Sequence, residues 1–315
     1  MIANWIRRVP PAGLAAVLLF LAAGCGGKPE GTDTAIVTTE PGVNPSAGVV
    51  TPAGSAPADA TPTKPAAPEP ATKGTAAPST TKAEGWGTLK GRVVFGGEPP
   101  APRLLVKQGD KAVKDAPVCA VAPIPSQRLV IDKGSKGVKY AVVFIPKPTA
   151  TNPDATAAAM KSEVVFDQNH CTFEPHVLGV FKGGKVLVKS SDKVAHNVDS
   201  KLQNTKFNTS LQPGQSMTIE GRSLQADRLP GPVVCDIHLW MTAYWLVSES
   251  PYFAVTDEQG NFEIKNVPAG TQKVVVWQEA VGPVTAVAGE AINVKAGGEV
   301  SKEFTIDPGK VKPES

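Results

Sequence analysis

Two stretches of the sequence decide the fold class: residues 173–198 read FEPHVLGVFKGGKVLVKSSDKVAHNV, and residues 235–241 read CDIHLWM. The first contains short runs of β-branched residues interrupted by Gly, Pro and Asp, which is the pattern of short strands joined by turns. Comparable runs occur at Leu89–Phe95, Tyr140–Ile145, Lys185–Lys189, Ala243–Val247 and Lys273–Trp277. This spacing predicts an all-β fold of sandwiches or barrels, with one helical segment at the Ala-rich residues 153–161.

Four side chains in and near these stretches form a metal-ligand set: His196, Cys235, His238 and Met241. A thiolate, two imidazoles and a thioether suit copper in a trigonal site with a weak axial sulfur. Three of the four lie within seven residues, so one loop can supply them, whereas His196 must come from another strand. Zinc is the weaker alternative, because Met is a poor zinc ligand.

The order of these residues resembles the cupredoxins, the small blue-copper proteins. The framework consists of Phe173, Pro175, Leu178, Val180, Gly183, Val186, Val188, Asp192, His196, Asn197 and Val198, followed by Leu211, Pro213 and Gly214. The Cys-x-x-His-x-x-Met loop is most similar in its short spacing to that of the amicyanins. The resemblance covers residues 163–250 and implies a Greek-key β-sandwich.

The same resemblance implies one type 1 copper per chain and one-electron transfer. Cys235, His196 and His238 would then form the trigonal plane, with Met241 as the axial ligand and Asn197 holding the two ligand loops together. A redox partner protein is expected to dock near His238, Leu239 and Trp240. The alternative is a cupredoxin fold that has lost its metal.

The flanking sequence resembles a carboxypeptidase regulatory-like domain and the second domain of rhamnogalacturonan lyases, both non-catalytic β-sandwiches. The similarity is carried by GRVVF at residues 91–95 and FAVTDEQGNFEIKNVPAG at residues 253–270. Within the second stretch we expect a hairpin turn at residues 257–260 and inward-facing Phe262 and Ile264. The copper segment can then be an insertion between the halves of a discontinuous second sandwich, residues 86–162 and 251–308.

The whole chain is similar to bacterial surface proteins, frequent in planctomycetes, that combine these modules and carry the label methylamine utilization protein. The sequence contains no His-Glu-x-x-His helix, nucleophile elbow or phosphate loop, so we expect a protein that is not an enzyme. The net charge of +3 is small, and no basic cluster is interleaved with aromatic residues. We therefore expect no binding to nucleic acid.

Residues 1–25 have the layout of a bacterial secretory signal, with two Arg residues, an apolar run and a final Gly24-Cys25. The stretch LAAGC at residues 21–25 resembles a lipobox, which implies a lipid on Cys25 and anchoring at a membrane in the periplasm or at the cell surface. A Cys that merely follows an ordinary cleavage site is the alternative. Residues 26–85 are rich in Pro, Ala and Thr, and their composition predicts a disordered tether.

The remaining cysteines and histidines leave two alternatives open. With Cys25 assigned to lipid and Cys235 to copper, Cys119 and Cys171 are left as a pair that export would oxidise to a disulfide, although two buried free thiols are also possible. His170 and His176 are expected at the surface or at the rim of the copper domain, with a second metal site as the alternative. For the protein as a whole, a copper carrier or storage module without redox traffic, and a surface adhesion or carbohydrate-binding protein, are the rivals to electron transfer.

Overall fold

Strands make up most of the chain that the computed structural model describes, which is residues 85–314. They are β1 (Trp86–Phe95), β2 (Leu104–Val106), β3 (Ile124–Pro125), β4 (Val142–Phe144), β5 (Glu163–Asn169), β6 (Thr172–Glu174), β7 (Val177–Phe181), β8 (Lys185–Ser190), β9 (His196–Ser200), β10 (Asn208–Leu211), β11 (Ser216–Glu220), β12 (Gly231–Val234), β13 (Thr242–Ser248), β14 (Phe253–Val255), β15 (Asn261–Pro268), β16 (Gly270–Gln278), β17 (Gly282–Pro283), β18 (Glu290–Val294) and β19 (Glu299–Ile306). The all-β prediction is confirmed.

Two α-helices accompany the strands in the described part of the chain, α1 (Ala116–Cys119) and α2 (Pro153–Lys161). Helix α2 coincides with the segment predicted as helical. Its start is fixed by Asn152, whose side chain accepts hydrogen bonds from the backbone N–H groups of Asp154 and Ala155, while proline occupies the first helical position. No helix among residues 85–314 is long and apolar enough to cross a membrane.

The strands between Glu163 and Ser248 form a sandwich of two sheets, which we call the first sandwich. One sheet has the order β11-β8-β5-β6 and the other has the order β10-β9-β12-β13-β7. The pairs β5–β8 and β7–β13 are parallel, and the other pairs are antiparallel. Phe166, Val188 and Trp245 are fully buried in the core of this sandwich. Because β9 and β12 are neighbours in the second of these sheets, the loop that joins β12 to β13 lies next to the first residues of β9.

The strands before and after this region form another sandwich, which we call the flanking sandwich. Its sheets have the orders β15-β1-β19 and β14-β4-β16-β17, and β18 also pairs with β16. Strand β1 from the start of the described chain lies between β15 and β19 from its end, so both flanks contribute to one sheet. Leu89, Val93 and Ile264 are among the buried side chains of its core.

The turn at residues 257–260 is present, but the predicted hairpin is wrong. The backbone N–H of Gly260 donates to the carbonyl of Asp257 at 3.0 Å, and Gly260 has a φ of +78°. The strands on either side join different sheets, because β14 pairs with β4 whereas β15 pairs with β1. A local turn signal fixes the reversal of the chain, whereas the partner of each strand depends on residues far away in sequence.

The two sandwiches pack against each other through a small apolar cluster. It contains Val142 and Phe144 of β4, Val275 and Trp277 of β16, Val177 of β7 and Leu246 of β13. Strands β4 and β16 thus bury side chains on both faces, which explains why they read as continuous apolar runs, VVF and VVVW.

A segment from Leu104 to Pro125 covers one end of the first sandwich. It contains the short β2–β3 pair and helix α1, and its Val106 and Ile124 pack into the core of that sandwich. The expected disulfide is present and joins Cys119 of this segment to Cys171, 52 residues later. Cys25 and residues 26–84 of the predicted tether lie outside the described residues.

Candidate metal centre

The ligand loop is held closed by its own backbone. Cys235 directly follows β12, and β13 begins directly after Met241. The N–H of Met241 donates to the carbonyl of His238 at 2.8 Å, and the N–H of Cys235 donates to the carbonyl of Met241 at 3.1 Å. His196 is the first residue of β9, which pairs with β12, so the sheet brings it to the same end of the sandwich.

Three of the four predicted ligands meet at one point. The Nδ1 atoms of His196 and His238 lie 2.9 Å apart, and the Sγ of Cys235 lies 3.8 Å from Nδ1 of His238. One ligand atom from each of the three residues falls within 4.8 Å of the others, and all three side chains are buried. Two donors that are each about 2 Å from one ion lie roughly 3 to 4 Å apart, so this spacing fits a bound metal.

Met241 completes the loop and is also buried. It belongs to the core of the first sandwich together with Cys235, so its thioether lies in an apolar environment at the same end of the fold.

A carboxylate fixes the far nitrogen of each imidazole. Nε2 of His196 lies 2.8 Å from Oδ2 of Asp192, and Nε2 of His238 lies 3.0 Å from Oδ2 of Asp115. Histidines that bind metals usually donate their other ring N–H to such a partner, which sets the tautomer and the orientation of the ring. Both rings are therefore fixed with Nε2 at a carboxylate and with Nδ1 on the side where the two rings meet.

The carboxylate of Asp192 has further hydrogen bonds that hold it in place. It accepts the backbone N–H of His170 at 2.8 Å and that of Cys171 at 2.7 Å. Cys171 also belongs to a second potential ligand group with Asp192 and His196. Its sulfur is in the disulfide, so it offers no thiolate there.

Asn197 joins the two ligand loops. Its Oδ1 accepts the backbone N–H of Asp236 at 2.7 Å, and its Nδ2 donates to Oδ2 of Asp236 at 2.7 Å and to Oδ1 of Asn208 at 3.0 Å. The hydrogen bond from Asn197 is the main reason that the pKa of Asp236 is lowered. Asn197, which follows the predicted ligand His196, is thus fixed to Asp236, which follows the predicted ligand Cys235.

The environment favours a thiolate at Cys235. Burial raises the pKa of this thiol, but hydrogen bonds with His196 and His238, including one from the backbone N–H of His238 at 3.4 Å, outweigh burial and lower the pKa to about 6. Burial likewise disfavours the charged form of His196, yet hydrogen bonds with Asp192 and Cys235 raise its pKa to about 9. In the metal-free protein near neutral pH, the centre thus contains a thiolate beside an imidazolium.

His170 and His176 do not join this centre. The Nε2 of His176 lies 2.6 Å from Oε2 of Glu279, which follows β16 of the flanking sandwich. His176 is buried, so the expectation of a surface position is wrong for this residue. The reason is the packing of the flanking sandwich over this face, which the sequence of the first sandwich does not reveal.

Sequence reasoning missed the two carboxylates and the depth of His238. Asp192 belongs to the framework that resembles the cupredoxins, and its position four residues before His196 is a usable signal for a partner of that imidazole. Asp115 lies 123 residues from His238 and carries no local signal. Its segment covers the imidazole of His238, so Leu239 rather than His238 is exposed at this surface.

Comparisons with known proteins give partial similarities to copper proteins. No protein-family model matches the sequence, and no curated protein matches it. The Cu-containing nitrite reductase from Thermus scotoductus SA-01 is 21% identical over 28% of this chain and 23% of that chain, with a TM-score of 0.25. A purple cupredoxin from Nitrosopumilus maritimus is 20% identical over 27% of this chain and 99% of that chain, with a TM-score of 0.23.

An amicyanin variant in its Cu(I) form is 18% identical over 34% of this chain and 98% of that chain, with a TM-score of 0.24. The chain thus spans about a quarter of the length of the nitrite reductase and nearly the full length of the two small proteins.

Proposed function

We propose that this protein is an exported, lipid-anchored type 1 copper protein that transfers one electron at a time. The observation that carries the proposal is the arrangement of the two imidazoles. The two Nδ1 atoms lie 2.9 Å apart, and that of His238 lies 3.8 Å from the Cys235 sulfur, while each Nε2 is fixed by a carboxylate, Asp115 or Asp192. His196, Cys235 and His238 would hold copper, with Met241 as the axial donor.

The side chains prepare this site before any metal binds. Asp192 and Asp115 keep hydrogen on Nε2 of the two histidines, so the Nδ1 lone pairs are directed inward once His196 has lost its second proton. The pKa of about 6 makes Cys235 a thiolate at neutral pH, which is the form that binds metals. Copper bound by such ligands supplies a one-electron couple between Cu(I) and Cu(II).

The surroundings of the ligands support electron transfer over simple storage. All four side chains are buried, which excludes water from the site. Hydrogen bonds between Asn197 and Asp236 fix the two ligand loops to each other, so the ligands keep their positions when the charge at the site changes. A redox partner protein would dock over Leu239, whose side chain is 83% exposed, with Trp240 and His238 beneath it.

The proposed location rests on the sequence of residues 1–25 and is supported by the Cys119–Cys171 disulfide, because such bonds persist in exported proteins. A Cys25→Ala variant should be released from membranes by a salt wash and should keep its metal site. Membrane attachment that survives in this variant would overturn the lipid anchor.

The test of the metal centre is a titration of the purified full-length protein with Cu(II), followed by visible absorption. Cu(II) bound to the Cys235 thiolate should give one intense charge-transfer band that saturates at one copper per chain. His196→Ala should lose the band, while the matched control His176→Ala should keep it, because His176 pairs with Glu279 outside the centre. Tight binding without colour would favour a carrier, and no binding would favour the adhesion alternative.

A further inference from the structure

A cavity of about 660 Å³ lies next to the metal centre, and its wall shares Leu239 and Trp240 with the surface proposed for partner docking. Its walls come from the ligand loop at Leu239–Met241, from residues 124–128, from Glu279 after β16 and from residues 312–314. It therefore opens where the two sandwiches and the covering segment meet. Cavities of this size hold small organic molecules.

One wall of the cavity is apolar and aromatic. It contains Phe173, Leu239, Trp240 and Tyr244, and Leu239 is the most exposed large apolar side chain among residues 85–314. The indole N–H of Trp240 donates to the carbonyl of Cys171 at 3.0 Å, which fixes the orientation of the ring. This wall offers a preformed flat surface on which an aromatic ring can stack.

The charged groups of the cavity favour an anion. The side chains of Arg103, Arg128, Lys312, Glu279 and Glu314 line it, and the guanidinium of Arg128 already donates to the carbonyls of Ala280 and Lys312 at 3.3 Å and 2.8 Å. Each carboxylate already has a partner: Glu279 contacts His176 at 2.6 Å, and Glu314 accepts the hydroxyl of Ser126 at 2.7 Å. Within residues 85–314, no carboxylate lies at salt-bridge distance from Lys312.

Two neutral hydrogen-bond donors in the cavity lining, on Tyr244 and Gln127, also favour an anion. Burial, and secondarily the charge of Glu279, raise the pKa of Tyr244, so its hydroxyl remains a hydrogen-bond donor. The carbonyl oxygen of the Gln127 side chain accepts the hydroxyl of Tyr140 at 3.0 Å, which leaves the amide N–H₂ of Gln127 to donate.

We propose that this cavity is a binding site for a small organic anion with a flat aromatic body, of the class of aromatic carboxylates. The ring lies against Trp240 and Leu239, and the carboxylate lies near Lys312 and the hydroxyl of Tyr244. The occupant also contacts Met241, and the ring of Trp240 lies 5.2 Å from that of His238. Binding therefore alters the surroundings of two metal ligands, a consequence that rests on the proposed copper site.

The test uses isothermal titration calorimetry of the metal-free full-length protein with three probes. These are 2-naphthoate, 2-naphthylmethylamine, which has the same ring with a positive charge, and acetate, which has the charge without the ring. We expect 2-naphthoate to bind one per chain and at least about tenfold more tightly than either of the others. Equal binding of the three probes, tighter binding of the amine, or no binding of 2-naphthoate would overturn the proposal.

Two variants locate the binding site. Lys312→Gln should weaken 2-naphthoate binding about tenfold, because a hydrogen bond to a charged group is lost. Lys310→Gln is the matched control, since Lys310 lies two residues earlier and outside the cavity lining. Tyr244→Phe should also weaken binding, by a smaller factor. An equal loss in Lys310→Gln and Lys312→Gln would place the probe elsewhere and overturn the assignment.

The link to the metal is tested separately. Adding 2-naphthoate to the Cu(II)-loaded protein should shift its visible band, and the shift should be absent in Lys312→Gln at the same probe concentration. Calorimetric binding without a shift would overturn the link to the metal. If the protein forms no coloured copper complex at all, the proposed function fails, whereas binding to the metal-free protein still decides whether the cavity is a site.

Discussion

The two sandwiches bury polar side chains in different ways. In the flanking sandwich these groups are neutral and bond to backbone carbonyls: Thr256 to Val138, Gln272 to Pro268 and Gln278 to Arg128. In the first sandwich the buried polar groups at one end are titratable and bond to each other, as in Asp192–His196–His238. The neutral side chains of the flanking sandwich stabilise the scaffold. A buried cluster of titratable side chains disfavours folding unless its members are paired, so its presence in the first sandwich points to function.

The largest expected effect on stability lies in the flanking sandwich and should leave the metal centre unchanged. Phe304 is buried in that core, and Phe304→Ala removes its ring from β19. We expect a loss of about 3–5 kcal/mol in the free energy of unfolding, by chemical denaturation of the metal-free protein. The visible band of the copper-loaded variant should match that of the wild type. Loss of the visible band in a folded Phe304→Ala variant would show that the metal centre of the first sandwich depends on the core of the flanking sandwich.

Removing the disulfide tests the covering segment. Replacing Cys119 and Cys171 together by Ala frees a loop of 52 residues and should reduce stability by up to about 4 kcal/mol in the chain-entropy account. The visible band should remain, since neither sulfur is a ligand. Denaturation with and without a reductant is the control: reductant should destabilise the wild type and leave the double variant unaffected.

A smaller effect is expected from the carboxylates behind the histidines. Asp192→Asn and Asp115→Asn should each weaken copper binding about 10- to 100-fold, because the imidazole loses its charged partner. Competition with a chelator of known affinity measures this change. Asp307→Asn is the matched control, because Asp307 accepts the N–H of Gly309 in the flanking sandwich. Equal affinities of the three variants would contradict a role for Asp192 and Asp115 in orienting the ligands.

The smallest expected spectral change comes from the ionisation of a single thiol, that of Cys235. The folded-state pKa of Cys235 is about 6, below the ordinary 9.0. Ionisation therefore stabilises the metal-free fold fully above pH 9, and this contribution decreases as the pH falls from 9 to 6 and is lost below 6. The ultraviolet thiolate absorbance of wild type minus that of Cys235→Ser should rise with a midpoint near pH 6. A midpoint near 9 would contradict the hydrogen bonds assigned to this sulfur.

Much of this picture follows from local sequence. Alternating or continuous β-branched runs identify strands, and the start of α2 follows from Asn152 and Pro153. The ligand loop is also local, since Cys235, His238 and Met241 lie within seven residues. These features depend on neighbours in the chain, which a single sequence displays directly.

The remaining features depend on contacts between distant segments. Asp115 reaches His238 because the disulfide and the packing of Val106 and Ile124 place its segment over the site. His176 is buried because Glu279 of the flanking sandwich covers it. The cavity likewise arises where three segments meet. No periodicity or spacing encodes such meetings, because they are decided by the packing of whole sheets.

The most direct test of the central claim is the visible spectrum of Cu(II)-loaded Cys235→Ser, beside that of the variant in which Cys119 and Cys171 are both Ala. A hydroxyl cannot replace the soft sulfur donor, so Cys235→Ser should lose the intense band while its circular dichroism remains that of a folded β-protein. The double variant should keep the band. If instead the double variant is colourless and Cys235→Ser retains the band, Cys235 is not the copper thiolate and the assigned centre is wrong.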